Sequence, residues 1–333
     1  MGYLLVIAAG VLQGSFMLPM KFTRRWAWEN TWLGFSTTAY LVWPWLLAWA
    51  TLPHLAAILT STSHRSLVLV ELFGLGWGLG ALTFGLGVDM LGMGLGFTII
   101  LGLSASAGSL IPLVVFSSEK LLRLQGLLTV AALALVTGGI ALCSWAGKLR
   151  DAQQSALRLE GKSSFGLGLV VCIASGLLSS SGNLGFAFGG EVIQRAIEHG
   201  AAESMAGNSL WALITIPLFL INGIYCSWLL KKRKTGGRFF EAGAGLYWVL
   251  AASMGLLWIA GFVCYAPGAR LLGPLGTSVG WAAMLSTMVI TANLEGFITG
   301  EWKDAGRKAY GFLLAGVGIL LMAIGVVGYA NHL

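Results

Sequence analysis

The chain has 333 residues, 57% of them hydrophobic and 10% charged, with 48 glycines and 14 tryptophans, and its mean hydropathy of +0.82 is far above that of a water-soluble domain. This composition predicts a polytopic membrane protein with no room for a soluble catalytic domain. The net charge of +7 would suggest nucleic acid in a soluble protein, but here the basic residues sit at the ends of apolar runs, where they report orientation, and no nucleic-acid partner is expected.

A helix needs about 20 apolar residues to cross a hydrocarbon core of about 30 Å. Ten such runs follow in chain order, at 2–20, 32–52, 67–88, 93–116, 124–146, 164–188, 205–230, 245–268, 275–298 and 309–330. The predicted fold class is all-α integral membrane, because a barrel would show short alternating segments and an open sheet edge cannot lie in lipid. Lys21, Arg24 and Arg25 follow the first run and no basic stretch precedes it, which predicts a retained helix and not a cleaved signal peptide. Connections after odd-numbered runs hold fifteen of the 20 Lys and Arg; the other five are Arg65, Lys120, Arg123, Arg195 and Arg270. Under the positive-inside rule the odd connections are expected in the cytoplasm and both chain ends outside.

Sliding the sequence along itself by 181 residues superimposes the third run on the eighth. Gly74, Leu75, Trp77, Gly87, Leu91 and Gly92 recur as Gly255, Leu256, Trp258, Gly268, Leu272 and Gly273, and Phe84 becomes Tyr265. Ten helices then read as two inverted five-helix repeats, 1–147 and 164–333, joined by a cytoplasmic linker at 148–163. Because five is odd, the second half enters the membrane from the opposite face, the plan of secondary transporters with a substrate site at the repeat interface. Chance similarity between two Gly-rich apolar helices is the alternative. The small-xxx-small pairs Gly76/Gly80 and Gly92/Gly96 would let helices approach closely. The GLGWGLG stretch lies inside an apolar run and not between a strand and a helix, so it is no phosphate loop.

Cys143, Cys172, Cys226 and Cys264 fall at wide spacing in apolar runs, so they read as small apolar fillers and not as a disulfide framework or a metal site. His54, His64, His199 and His332 lie in connections or at the chain end without metal-binding spacing, so neither metal nor cofactor is expected. The ionisable acids inside the runs are Glu71 and Glu295, which cost about 3 kcal/mol each unless they face a wet cavity or carry a proton. A desolvated carboxyl can take up a proton near neutral pH, which makes Glu295, and then Glu71, the candidates for proton coupling. The alternative is an interfacial side chain reaching headgroup water; Asp89 reads as solvated. Amides and indoles at mid-depth suit a neutral polyol, whose hydroxyls pair with amides and whose CH-rich face lies on a flat ring. Gln13, Asn183 and Asn293 are the candidate hydroxyl binders and Trp77 and Trp258 the candidate walls, with interhelical hydrogen bonding as the competing role of each amide. Trp26, Trp28, Trp43, Trp45 and Trp302 are expected in the interfacial belts.

Three groups of residues carry a family resemblance over nearly the whole chain: Pro19-Met20-Lys21 with Arg24-Arg25-Trp26-Ala27-Trp28-Glu29, Trp77-Gly78 with Leu91-Gly92-Met93, and Glu301-Trp302 with Ala305-Gly306-Arg307. With these the sequence resembles the bacterial L-rhamnose/proton symporter family, within the drug/metabolite transporter superfamily. The resemblance implies ten helices, a bacterial inner-membrane location and uptake of a deoxy sugar with protons. At positions corresponding to Gln13, Glu71, Asn293 and Glu295 the rhamnose carriers hold apolar or small residues, so this chain's polar lining differs from theirs. The resulting expectation is a non-enzymatic sugar importer with Lys21 and Glu29 helping to close the inner side. Its partners are a sugar, protons and membrane lipid, with a homodimer as a question of oligomeric state. An exporter of small amphipathic metabolites and a non-transporting sensor or scaffold are the rivals.

Overall fold

The computed structural model describes residues 1–91, 93–154, 165–303 and 305–333. Gly92, and with it the Gly92/Gly96 pair and one match of the internal repeat, lies outside the described residues, as does most of the expected linker with Arg158 and Lys162. The side chain of Asp89 is likewise outside the description. Among the described residues the secondary structure is entirely helical, as a chain with no water to satisfy its backbone in lipid requires.

The helices used below are α1 (Gly2–Ser15), α2 (Trp28–Thr51), α3 (Leu55–Ser61), α4 (His64–Leu91), α5 (Met93–Phe116), α6 (Leu124–Gln154), α7 (Phe165–Ser179), α8 (Ser181–Phe188), α9 (Gly190–Glu198), α10 (Asn208–Arg233), α11 (Ala244–Leu271), α12 (Gly276–Ile298) and α13 (Gly306–His332). Among the described residues, nine helical stretches are long and apolar enough to cross a membrane. The bent pair α2 and α3, which meet at 99°, passes the same test when taken together. Within α2 the backbone widens to a π-helix at Thr37–Val42, where the Trp43 N–H reaches back to the Thr38 carbonyl. Pro44 follows immediately and has no N–H to continue the ladder, so the helix accommodates it by this local expansion. The stretch expected as one run at 164–188 is built as α7 and α8, broken at Ser180, and the apolar stretch continues past a second break at Gly189 into α9.

Close packing depends on small residues. A Cβ on Gly14 of α1 would lie 2.6 Å from the Thr291 Cβ and 2.8 Å from the Met288 carbonyl of α12, so these two backbones meet only because the side chain is absent. The Gly76/Gly80 pair behaves likewise against α7 and α8, with the Gly80 position 2.6 Å from the Ser179 backbone nitrogen. Around these contacts α4 packs on α7 and α10, α1 on α11 and α12, α5 on α6 and α7, and α6 along α13.

The connections sort to two ends of the bundle. One, the basic end, brings together Lys21, Glu29, Arg150, Arg233, Arg238 and Glu301. The opposite end joins Ser61 to His199, Ser63 to Glu191, Ser117 to Pro274 and Arg270 to Glu203. Two expected belt tryptophans are not in a belt. Trp26 is buried, its indole N–H donating to the Arg238 carbonyl at 3.1 Å and its ring edge-on to Phe239 and Trp248. Trp302 is buried between the Arg150 guanidinium, 5.0 Å from its ring, and the stacked ring of Phe297. Both sit in connections that fold back over the bundle, which covers their rings with protein instead of lipid headgroups.

Candidate functional site

A chain of aromatic rings runs through the bundle interior. Phe16 stacks on Phe35, Phe35 meets Tyr40, and Tyr40 stands edge-on to Trp258 at 4.9 Å. Trp258 of α11 and Trp77 of α4 pair at 5.4 Å between ring centroids, with Phe262 packed against both. The series continues through Trp211 and Phe186 to Tyr265 and Trp281. Offset and edge-to-face contacts of this kind add stabilisation beyond the area they bury.

Below the Trp258 layer lies a cavity of about 280 Å³ between α1, α5, α6 and α12, close to the lower end of the roughly 300–1,000 Å³ typical of small-molecule pockets. Phe16, Phe97, Leu101 and Met288 form its apolar walls, and Gln13, Ser144, Asn293, Arg150 and Glu301 its polar groups. Gln13 is held by donating from Nε2 to the Trp258 carbonyl at 2.8 Å. Its approach to α11 requires Gly261, where a Cβ would sit 2.8 Å from that nitrogen. That bond uses one of the two N–H donors, leaving the Gln13 amide oxygen and the second N–H for a ligand's hydroxyl. Asn293 is oriented the same way, its Nδ2 donating to the Val289 carbonyl one turn back at 2.8 Å.

Of the five residues expected to bind substrate, the cavity therefore brings together Gln13 and Asn293. Trp77 and Trp258 pair one layer further in. Asn183 lies beyond them, toward the opposite end, in a polar knot that joins four chain segments. Its Nδ2 donates to the Gly108 carbonyl at 2.7 Å and the Thr277 carbonyl at 2.9 Å, and its Oδ1 accepts from the Tyr265 hydroxyl at 2.5 Å. Every hydrogen of that amide is engaged between helices in this conformation.

The two acids singled out inside the apolar runs are both half-buried and both outside the cavity lining. Glu71 lies two turns into α4 near the opposite end, and Glu295 near the basic end of α12; neither side chain has an ion-pair partner among the described residues. Lys21 and Glu29 are both at the basic end but pair with other groups. Lys21 Nζ lies 2.6 Å from Glu301 Oε1 and donates to Thr299 Oγ1 at 2.9 Å. Glu29 is fully buried, with Oε2 3.1 Å from the Arg233 guanidinium and Oε1 accepting from Thr235 at 2.8 Å. Arg150 completes the cluster by reaching Glu301 Oε2 at 3.3 Å and Asp151 at 2.9 Å.

Sequence reasoning missed Glu301, Arg150 and Arg233 as members of this site, because the search for costly charges was confined to the apolar runs. Glu301-Trp302 was visible as a motif, and it is this pair that walls the cavity at the basic end.

A family model described as L-rhamnose-proton symport protein (RhaT) matches residues 1–332. The chain is similar to the L-rhamnose-proton symporter of Citrobacter koseri, at 27% identity over 330 residues that cover 94% of this chain and 92% of the relative. The L-rhamnose-proton symporter of Cronobacter sakazakii is 27% identical over 347 residues, covering 98% and 96% respectively. That of Escherichia coli O17:K52:H18 is 26% identical over 330 residues, covering 94% and 92%.

Proposed function

From the membership of this chain in the L-rhamnose-proton symport protein family, a family of transporters, we propose that it is a secondary active transporter. It imports a neutral monosaccharide, L-rhamnose or a related sugar, together with protons by alternating access. The observation that carries this reading is the cavity beneath the indole pair. Its size suits a single small ligand, its amide oxygens from Gln13 and Asn293 suit hydroxyl donors, and its aromatic and aliphatic walls suit the CH face of a sugar. Trp77 and Trp258 pack in the next layer, joined to the cavity through the Gln13 bond to the Trp258 carbonyl. Asn183 joins the site in the state in which its knot with Tyr265 parts and its amide becomes free. At the basic end Lys21 and Glu29, through Glu301 and Arg233, close the inner side.

Ten crossings arranged as two inverted halves, 1–147 and 164–333, fit the packing. Exchanging each crossing for the one five later maps α4 on α7 to α11 on α1, α4 on α10 to α11 on α2, and α5 on α7 to α12 on α1, all of which are observed pairs. Trp77 and Trp258, equivalent under the 181-residue shift, face each other at 5.4 Å, as equivalent residues beside a pseudo-two-fold axis do. Beside the connections after α1 and after α10, Glu29 in the first turn of α2 meets Arg233 at the end of α10 at the basic end. Beside the counterparts of those connections, Glu191 of α9 meets Ser63, just before α4, at the other end. A half that is turned over produces this exchange of ends. With the basic end in the cytoplasm, both termini lie outside the inner membrane of the bacterial cell.

Uptake of labelled L-rhamnose into proteoliposomes under an imposed inward proton gradient tests the reading. Accumulation above equilibration, abolished by a protonophore, is expected. Absence of sugar accumulation together with efflux of amines or amino acids would replace the importer with an exporter.

A further inference from the structure

Coupling sugar movement to a proton requires an acid that lies where the sugar lies and that has different partners in the two access states. Among the described residues lining the cavity, Glu301 is the acid. It is also the point at which three separate segments meet. Oε1 holds Lys21 from the connection after α1 at 2.6 Å, and Oε2 faces Arg150 at the end of α6 at 3.3 Å, while Glu301 itself belongs to the connection after α12. Asp151 stands behind Arg150 at 2.9 Å, Lys303 lies two residues further along the chain, and Tyr310 of α13 donates to the Trp302 carbonyl at 2.5 Å. These are charged and titratable groups near the carboxylate among the described residues.

Resting on the transport reading above, we propose that Glu301 is the acid through which the proton acts, by holding or releasing the basic end of the cavity. Ionised, Glu301 ties Lys21 and Arg150 across the mouth. Protonated, it forms a neutral O–H, keeps neither ion pair, and the three segments separate toward the cytoplasm. The proton that arrived with the sugar then leaves the carboxyl for water, and the latch re-forms around the emptied cavity. The geometry permits this exchange because the Glu301 side chain is 40% exposed, so water reaches it, while Arg150, at 15%, is held in place by stacking on Trp302. Glu71 and Glu295 lack both requirements: neither lines the cavity, and neither bridges segments that must part.

The test compares purified wild type, Glu301→Gln, Glu71→Gln and Glu295→Gln in proteoliposomes. Two readouts are taken with labelled L-rhamnose: accumulation under an inward gradient of one pH unit, and exchange at zero gradient from pH 5 to 8. For one proton per sugar, wild type can reach at most about tenfold accumulation, since one pH unit and a tenfold concentration ratio are the same free energy. Glu301→Gln is expected to stop at equilibration, with its residual exchange no longer pH-dependent, while Glu71→Gln and Glu295→Gln still accumulate. Accumulation by Glu301→Gln, or its loss with surviving exchange at position 71 or 295, overturns the assignment. Failure of the wild type itself to accumulate would instead sink the transport reading, and the two failures are therefore distinguishable. Should Glu301→Gln not fold, Lys21→Met gives an independent readout. With one of the two ion pairs gone the mouth parts more readily without a proton, so exchange at the alkaline end of the range is expected to rise toward its value at the acid end. A latch with no proton role changes exchange by the same factor at every pH, and an unchanged pH profile overturns the proposal.

Discussion

The knot at Asn183 gives the most direct check on how this bundle is held. Replacing Asn183 with Ala removes two donated hydrogen bonds, to Gly108 and Thr277, and one accepted from Tyr265. Interhelical hydrogen bonds in membranes average about 0.6 kcal/mol, with a measured ceiling near 1.7, so three of them amount to about 2 kcal/mol and at most about 5. Asn183→Asp keeps the shape and the acceptor for Tyr265 but turns an oxygen toward two carbonyls that now have no donor. It also places a carboxylate in the bundle interior, for an added cost of about 3 kcal/mol unless it protonates. Tyr265→Phe loses one strong bond and should cost about 1 kcal/mol. The expected order of destabilisation is Asn183→Asp, then Asn183→Ala, then Tyr265→Phe. Thermal unfolding of the detergent-purified variants, followed by binding of a thiol-reactive dye to the buried cysteines, reads it. The Ala variant should melt a few degrees below wild type, at roughly 1–4 °C per kcal/mol for a chain of this size. An Asp variant as stable as wild type, or a Tyr265→Phe variant worse than both Asn183 variants, would refute the placement of the amide between these helices.

Gln13→Leu and Asn293→Leu each remove one hydroxyl partner in the cavity. Each should raise the KM for sugar about tenfold with a smaller change in kcat, as loss of one net hydrogen bond of about 1.4 kcal/mol requires; an unchanged KM in both variants places the sugar elsewhere. Cys143 lines the cavity, whereas Cys172 and Cys226 are fully buried, so maleimide applied from the cytoplasmic side should label Cys143 first, and saturating sugar should slow that labelling. Labelling of Cys172 or Cys226 ahead of Cys143 would contradict the packing. Gly14→Val drives a side chain into Thr291 and the Met288 carbonyl and should destabilise by about 1–3 kcal/mol or more, since backbone and not a flexible side-chain tip is in the way. A Val variant that melts with wild type would mean that α1 and α12 are further apart than described.

The helical class and most of the crossings were legible because apolar run length is set by the thickness of the membrane, a constraint that each run obeys on its own. Trp77 and Trp258 drew attention together for a different reason, since the 181-residue shift matches their positions, and their rings lie 5.4 Å apart. What stayed hidden depends on partners far along the chain. Glu29 and Asn30 looked too polar to begin a crossing, yet α2 starts at Trp28, where Arg233 and Thr235, some two hundred residues away, hold the Glu29 carboxylate and the Thr235 carbonyl accepts from the Asn30 amide nitrogen. Trp26 and Trp302 carried the signature of interfacial residues, and only the folding of their connections back over the bundle shows otherwise. The breaks around α8 left a local trace in Ser179-Ser180-Ser181 and Gly189-Gly190, but hydropathy alone reads straight through small residues.

The two ends of the bundle are closed by different chemistry, and that difference bears on the energetics of a carrier. The basic end is tied by ion pairs, Lys21 and Arg150 on Glu301 and Arg233 on Glu29, whose cationic partners are partly exposed. The two pairs on the partly exposed Glu301 contribute only about 0–1 kcal/mol each, because water solvates the separated charges almost as well, whereas breaking the pair on the fully buried Glu29 costs about 3–5 kcal/mol. The opposite end is tied by buried neutral bonds around Asn183 and by Ser63 and Ser66 on Glu191, again about 0.6 kcal/mol apiece for the membrane-embedded ones. Opening the Glu301 latch or the opposite end thus costs a few kcal/mol by these magnitudes, and the two costs are of the same order. An alternating carrier needs that balance: if one closed end were favoured by about 5.5 kcal/mol over the other, the minor state would fall to about one part in ten thousand and the cycle would stall. In the proposed latch a single proton on Glu301, removing its two ion pairs at once while Arg233 stays on Glu29, is of the right size to tip such an equilibrium without trapping it.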